Sequence, residues 1–478
     1  MAPERWDFVV AGSGAGGAAA AARLVAGGAR VLLVEEGPAA RPAADAFEAV
    51  QRYYADGGLS AALGDGLLPI PTGRTVGGTT TINSGTCLRP PPALVAGWER
   101  ASSGAFSAEG FGRLVEEVWR SLKAKTAPPE TMTGPSKLFL KGLERLGVQG
   151  GHNLDRAEDG CEGKGMCCFV CPKDAKMTSY KTYLAGIHGK TGFELRSGTS
   201  LVDIETGTDG VRIGLRLPNG NDGEIHARGL VLACGTMSTP YFVRKFRLGP
   251  GWREAGAGLS VHPAAKVMAL FDEEVAGWKG VPQGAGVVDP VDPAIRYEGV
   301  YVPAEMAALA APLEGRDLKR WMDAHPRVAT FGFMIRDESR GRVDHPLGAR
   351  HPVARYRMGP RDYSRMVRGA RFAARAMLAA GARRVLLPFN IEGNEVAGVR
   401  ALEALDLDRP GPAALQMMAF HPLGTCGAGR AAGWDQRVGE NVVVADGSAV
   451  PESLGVNPQV TISAFGLRAA DVLLEARA

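Results

Sequence analysis

Short apolar runs alternate with glycine-rich turns over the first forty residues of the chain. Residues 8–10 form an apolar run that ends at Gly12, and an alanine-rich stretch of helical character follows. A second run with strand character covers residues 30–34 and is followed by Glu35. The order strand, glycine-rich turn, helix and strand is typical of a βαβ unit, which predicts a parallel α/β sheet at the start of the chain.

Hydrophobic periodicity predicts a second, antiparallel sheet in the middle of the chain. Alternating positions over 211–217, followed by a turn at 218–222, are typical of a hairpin. The run at 229–234 is predicted to be a strand that returns to the first sheet. Apolar runs broken by Pro and Gly over 265–355 predict an antiparallel sheet.

Two helices are predicted towards the C-terminus. Asn457 and Pro458 open a helical run that follows a strand at 442–445. Apolar residues also recur at helical spacing over 362–382, which predicts a long surface helix. Its basic residues are interpreted as a solvated face: Arg365, Arg368, Arg371 and Arg375.

Composition narrows the class of protein. With 478 residues the chain is long enough for about two or three folding units. Hydrophobic residues make up 45% and charged residues 22%, which excludes a disordered chain. The net charge of +4 is weak for this length, so a nucleic-acid partner is not indicated. The chain shows neither a signal-peptide pattern nor a run of 18 strongly apolar residues, so we expect a cytoplasmic protein without a transmembrane segment.

The glycine-rich turn has the residues that a dinucleotide requires. Gly12 permits the tight turn, Gly14 lets the backbone approach a pyrophosphate, and Gly17 lets the helix pack closely on the strand. The N-terminus of the helix offers free N–H groups to the phosphates. Glu35 is placed to accept hydrogen bonds from a ribose. This motif alone does not separate FAD from NAD.

Two further blocks give the chain a resemblance to a known family. Residues 73–85 read GRTVGGTTTINSG, and the C-terminal region contains AFHPLGTC at 419–426, ADGS at 445–448 and an Asn-Pro pair at 457–458. With the first motif, these blocks resemble the glucose–methanol–choline (GMC) oxidoreductases, on the side of the family that includes cholesterol oxidase and the long-chain-alcohol oxidases. The family consists of FAD-dependent alcohol oxidases and dehydrogenases.

The resemblance implies a fold and a set of cofactor contacts. The implied fold is α/β, with a Rossmann-like FAD-binding domain and an antiparallel-sheet substrate-binding domain, as in p-hydroxybenzoate hydroxylase. Some members attach FAD through a histidine before the Asn of the second block, but this chain has Ile82 there, so we expect FAD to bind without a covalent bond. The residues implied to hold FAD are Gly12, Gly14, Gly17, Glu35, Arg74, Gly77, Gly78, Thr79, Asn83, Asp446 and Gly447.

The resemblance also implies two catalytic residues. His421 matches the active-site histidine of the family, and Asn457 matches its second catalytic position. Oxidation of an alcohol removes the hydroxyl proton and transfers a hydride to the flavin N5. An imidazole is suited to accept that proton, and an amide can orient the substrate oxygen. His421 is therefore predicted to be the base. His262, in a recurrent His-Pro position, is interpreted as structural.

A cysteine cluster at 161–171 allows three interpretations. The first is a loop with buried free thiols, or with one disulfide formed on oxidation. The second is an iron–sulfur cluster, as some membrane-associated dehydrogenase relatives hold on cysteines of comparable spacing. The third is structural zinc, which the adjacent Cys167 and Cys168 fit poorly. No metal is expected as the leading interpretation, and the candidate iron–sulfur ligands are Cys161, Cys167 and Cys171.

These observations lead to one principal function and two alternatives. The principal function is FAD-dependent oxidation of an alcohol, predicted to be apolar, with oxygen or a redox protein as electron acceptor. The alternatives are a dehydrogenase subunit that passes electrons through an iron–sulfur cluster to a partner, and a flavoprotein that is an isomerase, a lyase or non-catalytic. The expected division is FAD-binding 1–160, Cys-rich loop 161–190, FAD-binding 191–260, mainly substrate-binding 261–410, and an FAD-binding and catalytic segment 411–478.

Overall fold

The architecture is described from a computed structural model of the chain, which describes residues 4–301 and 303–476. It contains two large sheets, one mainly parallel and one antiparallel, with helices packed against both. The α-helices are Ala15–Ala26, Ala46–Tyr53, Thr79–Ile82, Pro92–Ala101, Ala108–Ser121, Gly134–Arg145, Thr239–Lys245, Ala304–Leu309, Gly315–Asp323, Pro360–Ala380, Val399–Ala404 and Gln459–Glu475.

The first sheet confirms the predicted parallel α/β arrangement. Strand Glu4–Ala11 lies between Val31–Glu35 and Asp222–Leu232, and both pairs are parallel. Every residue of Val31–Glu35 is buried, as expected for a strand covered on both faces. The spatial order of the strands is Arg437–Gly439, Val442–Val444, Asp222–Leu232, Glu4–Ala11, Val31–Glu35 and Phe193–Ser197. Strand Gly210–Arg216 pairs antiparallel with Asp222–Leu232 and with Ser200–Gly207, as the predicted hairpin requires.

Small residues allow the first and last helices to lie in close contact. Helix Ala15–Ala26 packs against helix Gln459–Glu475. A Cβ on Gly466 would lie 2.2 Å from the carbonyl oxygen of Gly16, so the two backbones approach to a distance that only glycine allows. This contact holds the segment that precedes Gln459 beside the glycine-rich turn.

The second sheet is antiparallel, and two long helices cover one of its faces. Helices Gly134–Arg145 and Pro360–Ala380 pack on that face, where the rings of Phe139 and Phe331 stack at 3.7 Å. The spatial order is Glu395–Val396, Arg384–Leu386, Pro263–Leu270, Val328–Ile335, Ile295–Gly299, Ala285–Val288 and His152–Asn153, and Met418–Ala419 pairs with Pro263–Leu270.

The strands outside the two large sheets form a smaller sheet and a two-stranded ribbon. The smaller sheet has the order Ala257–Leu259, Gly341–Asp344, Val353–Tyr356, Ala61–Gly64 and Leu67–Pro69. The ribbon pairs Ala124–Thr126 with Asp155–Ala157 and lies next to the cysteine-rich segment in the chain. In the part of the chain that the structure describes, no helix combines the length and the hydropathy needed to cross a membrane.

The long helix differs from its sequence-based interpretation as a surface element with a solvated basic face. Helix Pro360–Ala380 buries Arg365, which is 8% exposed and forms ion pairs with Asp292 and Asp362. Arg368 pairs with Asp289, and Arg371 donates to two backbone carbonyl oxygens. The prediction was wrong for these three residues because, apart from Asp362, the groups that they bond are distant in sequence.

Candidate active site

The glycine-rich turn has the geometry that its sequence predicts. Gly12 has φ of 105°, a region that favours glycine. A Cβ on Gly17 would lie 2.0 Å from the carbonyl oxygen of Gly12, so close packing of helix on strand requires glycine there. A Cβ on Gly14, at the N-cap, would meet nothing within 4 Å, and no side chain caps the helix. The turn therefore presents uncapped N–H groups next to open space, which is the environment that a pyrophosphate needs.

Glu35 is bound into this turn. Its Oε2 accepts hydrogen bonds from the N–H and hydroxyl of Ser13 at 3.0 and 2.7 Å, and its Oε1 accepts from the N–H of Gly37 at 2.8 Å. Burial raises the pKa of Glu35, and these hydrogen bonds oppose the rise. Glu36 points away and pairs with Arg350. Glu35 thus fixes the shape of the turn in addition to its predicted contact with a ribose.

The second sequence block packs directly on the first. The N–H of Gly77 donates to the hydroxyl of Ser13 at 2.9 Å, and a Cβ on Gly78 would lie 2.8 Å from the Cα of Gly14. The side chain of Asn83 donates to Gln459 at the start of the last helix. Arg74 and Thr79, also predicted to hold FAD, are exposed. The loop thus connects the glycine-rich turn with the C-terminal segment.

Asp446 closes the same region from the C-terminal side. It accepts hydrogen bonds from the N–H of Gly235 at 2.9 Å, from the N–H of Ser448 at 2.7 Å and from the hydroxyl of Thr239. Burial raises its pKa, and these donors oppose the rise. A Cβ on Gly447 would lie 2.7 Å from the hydroxyl of Thr236. The three sequence blocks therefore meet at one edge of the parallel sheet.

His421 has a partner that the sequence did not reveal. Its Nδ1 lies 3.1 Å from the Nδ1 of His262, which is fully buried. The Nε2 of His262 accepts hydrogen bonds from the N–H groups of Leu454 and Gly455 at 2.9 and 3.0 Å. His262 therefore carries its proton on Nδ1 and donates it to the Nδ1 of His421, and neutral His421 carries its proton on Nε2.

Burial keeps both imidazoles neutral. It lowers the pKa of His421 to about 4. The pKa of His262 is lowered well below its ordinary value by burial, by His421 and by two nearby arginines. A structural role for His262 was predicted, and the structure adds a direct bond to the predicted catalytic histidine. The only local signal was that His262, like His421, precedes a proline, and the chain has five such His-Pro pairs, so the signal does not indicate contact.

Asn457 contacts a buried carboxyl group that the sequence analysis also missed. Its Nδ2 donates to the Oε2 of Glu298 at 3.2 Å. Both residues are buried: Asn457 is 7% exposed and Glu298 is 5% exposed. Within the described part of the chain, Asn457 Oδ1 and Glu298 Oε1 have no hydrogen-bond partner. Glu298 lies in a strand of the antiparallel sheet, far from Asn457 in sequence.

The family models described as GMC oxidoreductase match residues 50–264 and 337–466. The chain belongs to the GMC oxidoreductase family. Membership confirms the family recognised from the three blocks. The family is one of FAD-binding oxidoreductases, and the turn with its open space at Gly14 fits the ADP half of that cofactor.

The relatives include uncharacterized GMC-type oxidoreductases and long-chain-alcohol oxidases. The uncharacterized GMC-type oxidoreductase Rv0492c of Mycobacterium tuberculosis is 34% identical over 98% of this chain and 75% of that protein. A GMC-type oxidoreductase of Sinorhizobium fredii, y4nJ, is 32% identical over 98% of this chain and 94% of its own length. The long-chain-alcohol oxidase FAO4A of Arabidopsis thaliana is 26% identical over 98% of this chain and 69% of that protein.

Solved structures share the fold at low sequence identity. Formate oxidase aligns with a TM-score of 0.73 and 15% identity over 100% of this chain and 99% of its own. Pyridoxine 4-oxidase from Mesorbium loti aligns with a TM-score of 0.68 and 16% identity over 97% of this chain and 98% of its own. These alignments confirm the predicted GMC architecture.

The cysteine-rich segment does not form the metal site that one alternative requires. Cys161, Cys167 and Cys171 line one cavity of about 20 Å³, and all three thiols are free. Among residues 4–301 and 303–476, no group of three or more His, Cys, Asp or Glu is arranged to hold a metal ion. The Sγ of Cys167 instead accepts a hydrogen bond from Arg156 at 3.4 Å. The structure therefore gives no support to the iron–sulfur alternative or to zinc.

Proposed function

We propose that this chain oxidises an alcohol with non-covalently bound FAD and that the reaction takes place beside His421 and Asn457. Family membership and the long-chain-alcohol oxidases among the relatives support this reaction. When bound, FAD supplies the hydride acceptor at its N5. Ile82 stands where a covalent linkage would need histidine, which supports non-covalent binding.

The bond between the two histidines is the observation that carries the proposal. It orients the His421 ring with Nε2 directed away from His262, and burial keeps the ring neutral. A fixed, neutral imidazole next to the Asn457 segment is suited to a substrate hydroxyl group. The same segment, through Leu454 and Gly455, holds His262.

The part that His421 plays depends on the position of its proton. To act as a base, His421 needs a free lone pair on its Nε2. The hydrogen bonds of His262 instead leave the proton of neutral His421 on that Nε2 atom. They favour His421 as the donor that binds the alcohol oxygen and stabilises its developing negative charge. His421 as the base stays a prediction, which a non-basic donor at position 421 can test.

An apolar alcohol is the substrate class that the site favours. Phe420, immediately before His421, is 45% exposed. An exposed aromatic side chain at this position offers a contact to an alkyl or aryl chain. The electron acceptor is proposed to be oxygen or a redox protein.

The test is anaerobic reduction of the bound flavin by primary alcohols of increasing chain length. We expect bleaching of the flavin absorbance by wild-type protein, and a loss of about a hundredfold or more in rate for His421→Ala. His226→Ala is the control, because the His226 side chain is 38% exposed and its ring bonds Glu224 on the same strand. Purified protein without flavin, or reduction by no alcohol, would refute the proposal.

His421→Gln separates the two parts open to His421. Glutamine can donate a hydrogen bond but cannot accept a proton at neutral pH. If His421 is a donor, His421→Gln should reduce flavin clearly faster than His421→Ala. If it is the base, the two variants should be equally slow.

A further inference from the structure

One hairpin of the smaller sheet has an outer face that is apolar although it is exposed. Strands Ala61–Gly64 and Leu67–Pro69 form this hairpin, and their side chains alternate between a face buried in the core and an outer face. On the outer face Leu63 and Leu67 are direct cross-strand neighbours, and they are 53% and 67% exposed. Solvated sheet faces normally carry polar side chains, so exposed leucines at these positions indicate a surface that a partner covers.

Neighbouring residues extend this apolar surface. Ala61 and Pro69 form the next outer pair of the hairpin. The register of the adjacent strand Val353–Tyr356 places Val353 beside Ala61. Leu59, which precedes the hairpin, is 83% exposed. The apolar side chains therefore form a continuous surface and are not isolated exposed residues.

Arginines border the leucines on the same face of the sheet. The register places Arg355 directly beside Leu63, and Arg342 beside Arg355. The side chains of Arg355 and Arg342 are 67% and 40% exposed. Arg357 is also exposed, and the alternation along the strand places it on this face. Long arginine side chains can lie along an apolar surface and keep the guanidinium group at its polar boundary.

Positive charge exceeds negative charge around this surface. Asp344 is shared by three arginines, which are Arg244, Arg342 and Arg355. Asp65 lies in the hairpin turn, next to the exposed Arg357 side of the sheet, and bonds the backbone there. An apolar surface bordered by an excess of arginines is complementary to the interface of an anionic bilayer, which offers phosphates above acyl chains.

A second copy of the chain fits this surface less well. In a two-fold interface the same surface meets itself, so the arginines of one copy would face the arginines of the other. Such a juxtaposition of like charges opposes association. The charge pattern therefore favours a lipid surface as the partner.

The hairpin lies next to the segment that leads to the candidate active site. Strand Leu67–Pro69 packs beside strand Met418–Ala419, and Phe420 and His421 follow directly in the chain. Phe420 is itself 45% exposed. A lipid surface bound at the hairpin would therefore lie close to this segment.

We propose that the outer face of the hairpin 61–69 docks on an anionic lipid surface. Leu63 and Leu67 enter the boundary between headgroups and acyl chains, and Arg355 and Arg357 bind lipid phosphates. Docked in this way, the chain takes its apolar alcohol from the lipid phase, a step that rests on the proposed function. The docking itself does not depend on that function and is measured without substrate.

The experiment is flotation of the flavin-loaded protein with lipid vesicles. We expect binding to mixed phosphatidylcholine–phosphatidylglycerol vesicles and much weaker binding to pure phosphatidylcholine vesicles. Leu63→Thr combined with Leu67→Thr removes apolar surface but keeps a high preference for strands, so binding to the mixed vesicles should fall about tenfold or more. The matched control combines Val291→Thr with Leu309→Thr, because these residues are 72% and 84% exposed and lie outside the smaller sheet.

A second pair of variants tests the charge. Arg355→Gln combined with Arg357→Gln should weaken binding to the mixed vesicles about tenfold or more, and added salt should weaken binding of the wild-type protein. The control combines Arg113→Gln with Arg375→Gln, two exposed arginines that pair with carboxylates on helices. All variants should keep the flavin content of the wild-type protein.

Equal binding to both kinds of vesicle, or unchanged binding in either pair of variants, would overturn the proposal. If the leucine variant does not fold, the arginine variant decides. A dimer in analytical ultracentrifugation that the leucine variant dissociates, without vesicle binding by the wild-type protein, would overturn it in favour of a second copy. Failure of the proposed function is distinct, since the flavin would then be reduced by no alcohol whether or not the protein binds vesicles.

Discussion

The Nζ of Lys176 donates hydrogen bonds to the carbonyl oxygens of Asn83 and Cys167, each at 2.7 Å. A third bond of 2.7 Å goes to the carbonyl oxygen of Thr81. The side chain is buried, and burial lowers its pKa to about 8. One lysine thus ties the cysteine-rich segment to the loop that is predicted to contact the flavin.

Replacing this lysine should weaken both the fold and the binding of flavin. Lys176→Met leaves three carbonyl oxygens without their donor, and we expect the free energy of unfolding to fall by about 2–4 kcal/mol. The released loop should also retain FAD less tightly. Urea unfolding and the flavin-to-protein absorbance ratio measure these effects. Lys173→Met, which removes an exposed lysine paired with Glu162, should change neither.

Phe420 should set the preference for long substrates. Phe420→Ala removes the exposed aromatic side chain that precedes His421 in the chain, so we expect KM to rise for long-chain alcohols and to change little for short ones. Leu347→Ala is the matched control, since Leu347 is fully exposed elsewhere on the surface. Equal effects on short and long alcohols would mean that Phe420 does not contact the alkyl chain.

The histidine pair should make stability fall in mild acid. The folded-state pKa of His421 is lowered to about 4, and that of His262 is well below its ordinary value, whereas both titrate normally when unfolded. The unfolded chain therefore binds protons first as pH drops. Stability from these residues is complete above about pH 6.5 and is lost progressively towards pH 4.

Urea unfolding of wild type and His421→Gln between pH 7.5 and 4.5 measures this contribution. Buried carboxyl groups with raised pKa, such as Glu35 and Asp446, act in the opposite direction but are common to both proteins. We expect a shallower decline in His421→Gln. Parallel curves for the two proteins would contradict the lowered pKa of His421.

Local sequence patterns predict much of the fold, but they predict only part of the candidate active site. Gly12, Gly17 and Glu35 act within forty residues of each other, so spacing alone predicts their geometry. His262 and Glu298 contact His421 and Asn457 across 159 residues in each case. Such contacts depend on which strands of the second sheet lie next to the C-terminal segment, and hydrophobic periodicity carries no information on that pairing.

The cysteines can be tested by removing the three candidate ligands together. Because these side chains are not arranged around a metal ion, we expect Cys161→Ser, Cys167→Ser and Cys171→Ser combined to keep FAD and the rate of flavin reduction. Iron and acid-labile sulfide assays on freshly purified wild type should find neither. Stoichiometric iron that the triple variant lacks would restore the electron-relay alternative.

Alanine substitutions at Gly14 and Gly16 should have different effects, the first on cofactor binding and the second on the stability of the fold. A methyl group at Gly14 meets nothing within 4 Å, and its φ of −65° suits alanine, so Gly14→Ala should unfold like wild type in the absence of flavin. The methyl group would occupy the space predicted for the pyrophosphate, so FAD affinity should fall. At Gly16 a Cβ would lie 1.5 Å from the carbonyl oxygen of Ala445, and Gly16→Ala should cost about 1–3 kcal/mol of stability. Unfolding of the flavin-free variants and titration with FAD measure the two effects. Unchanged FAD affinity in Gly14→Ala would place the pyrophosphate away from this turn.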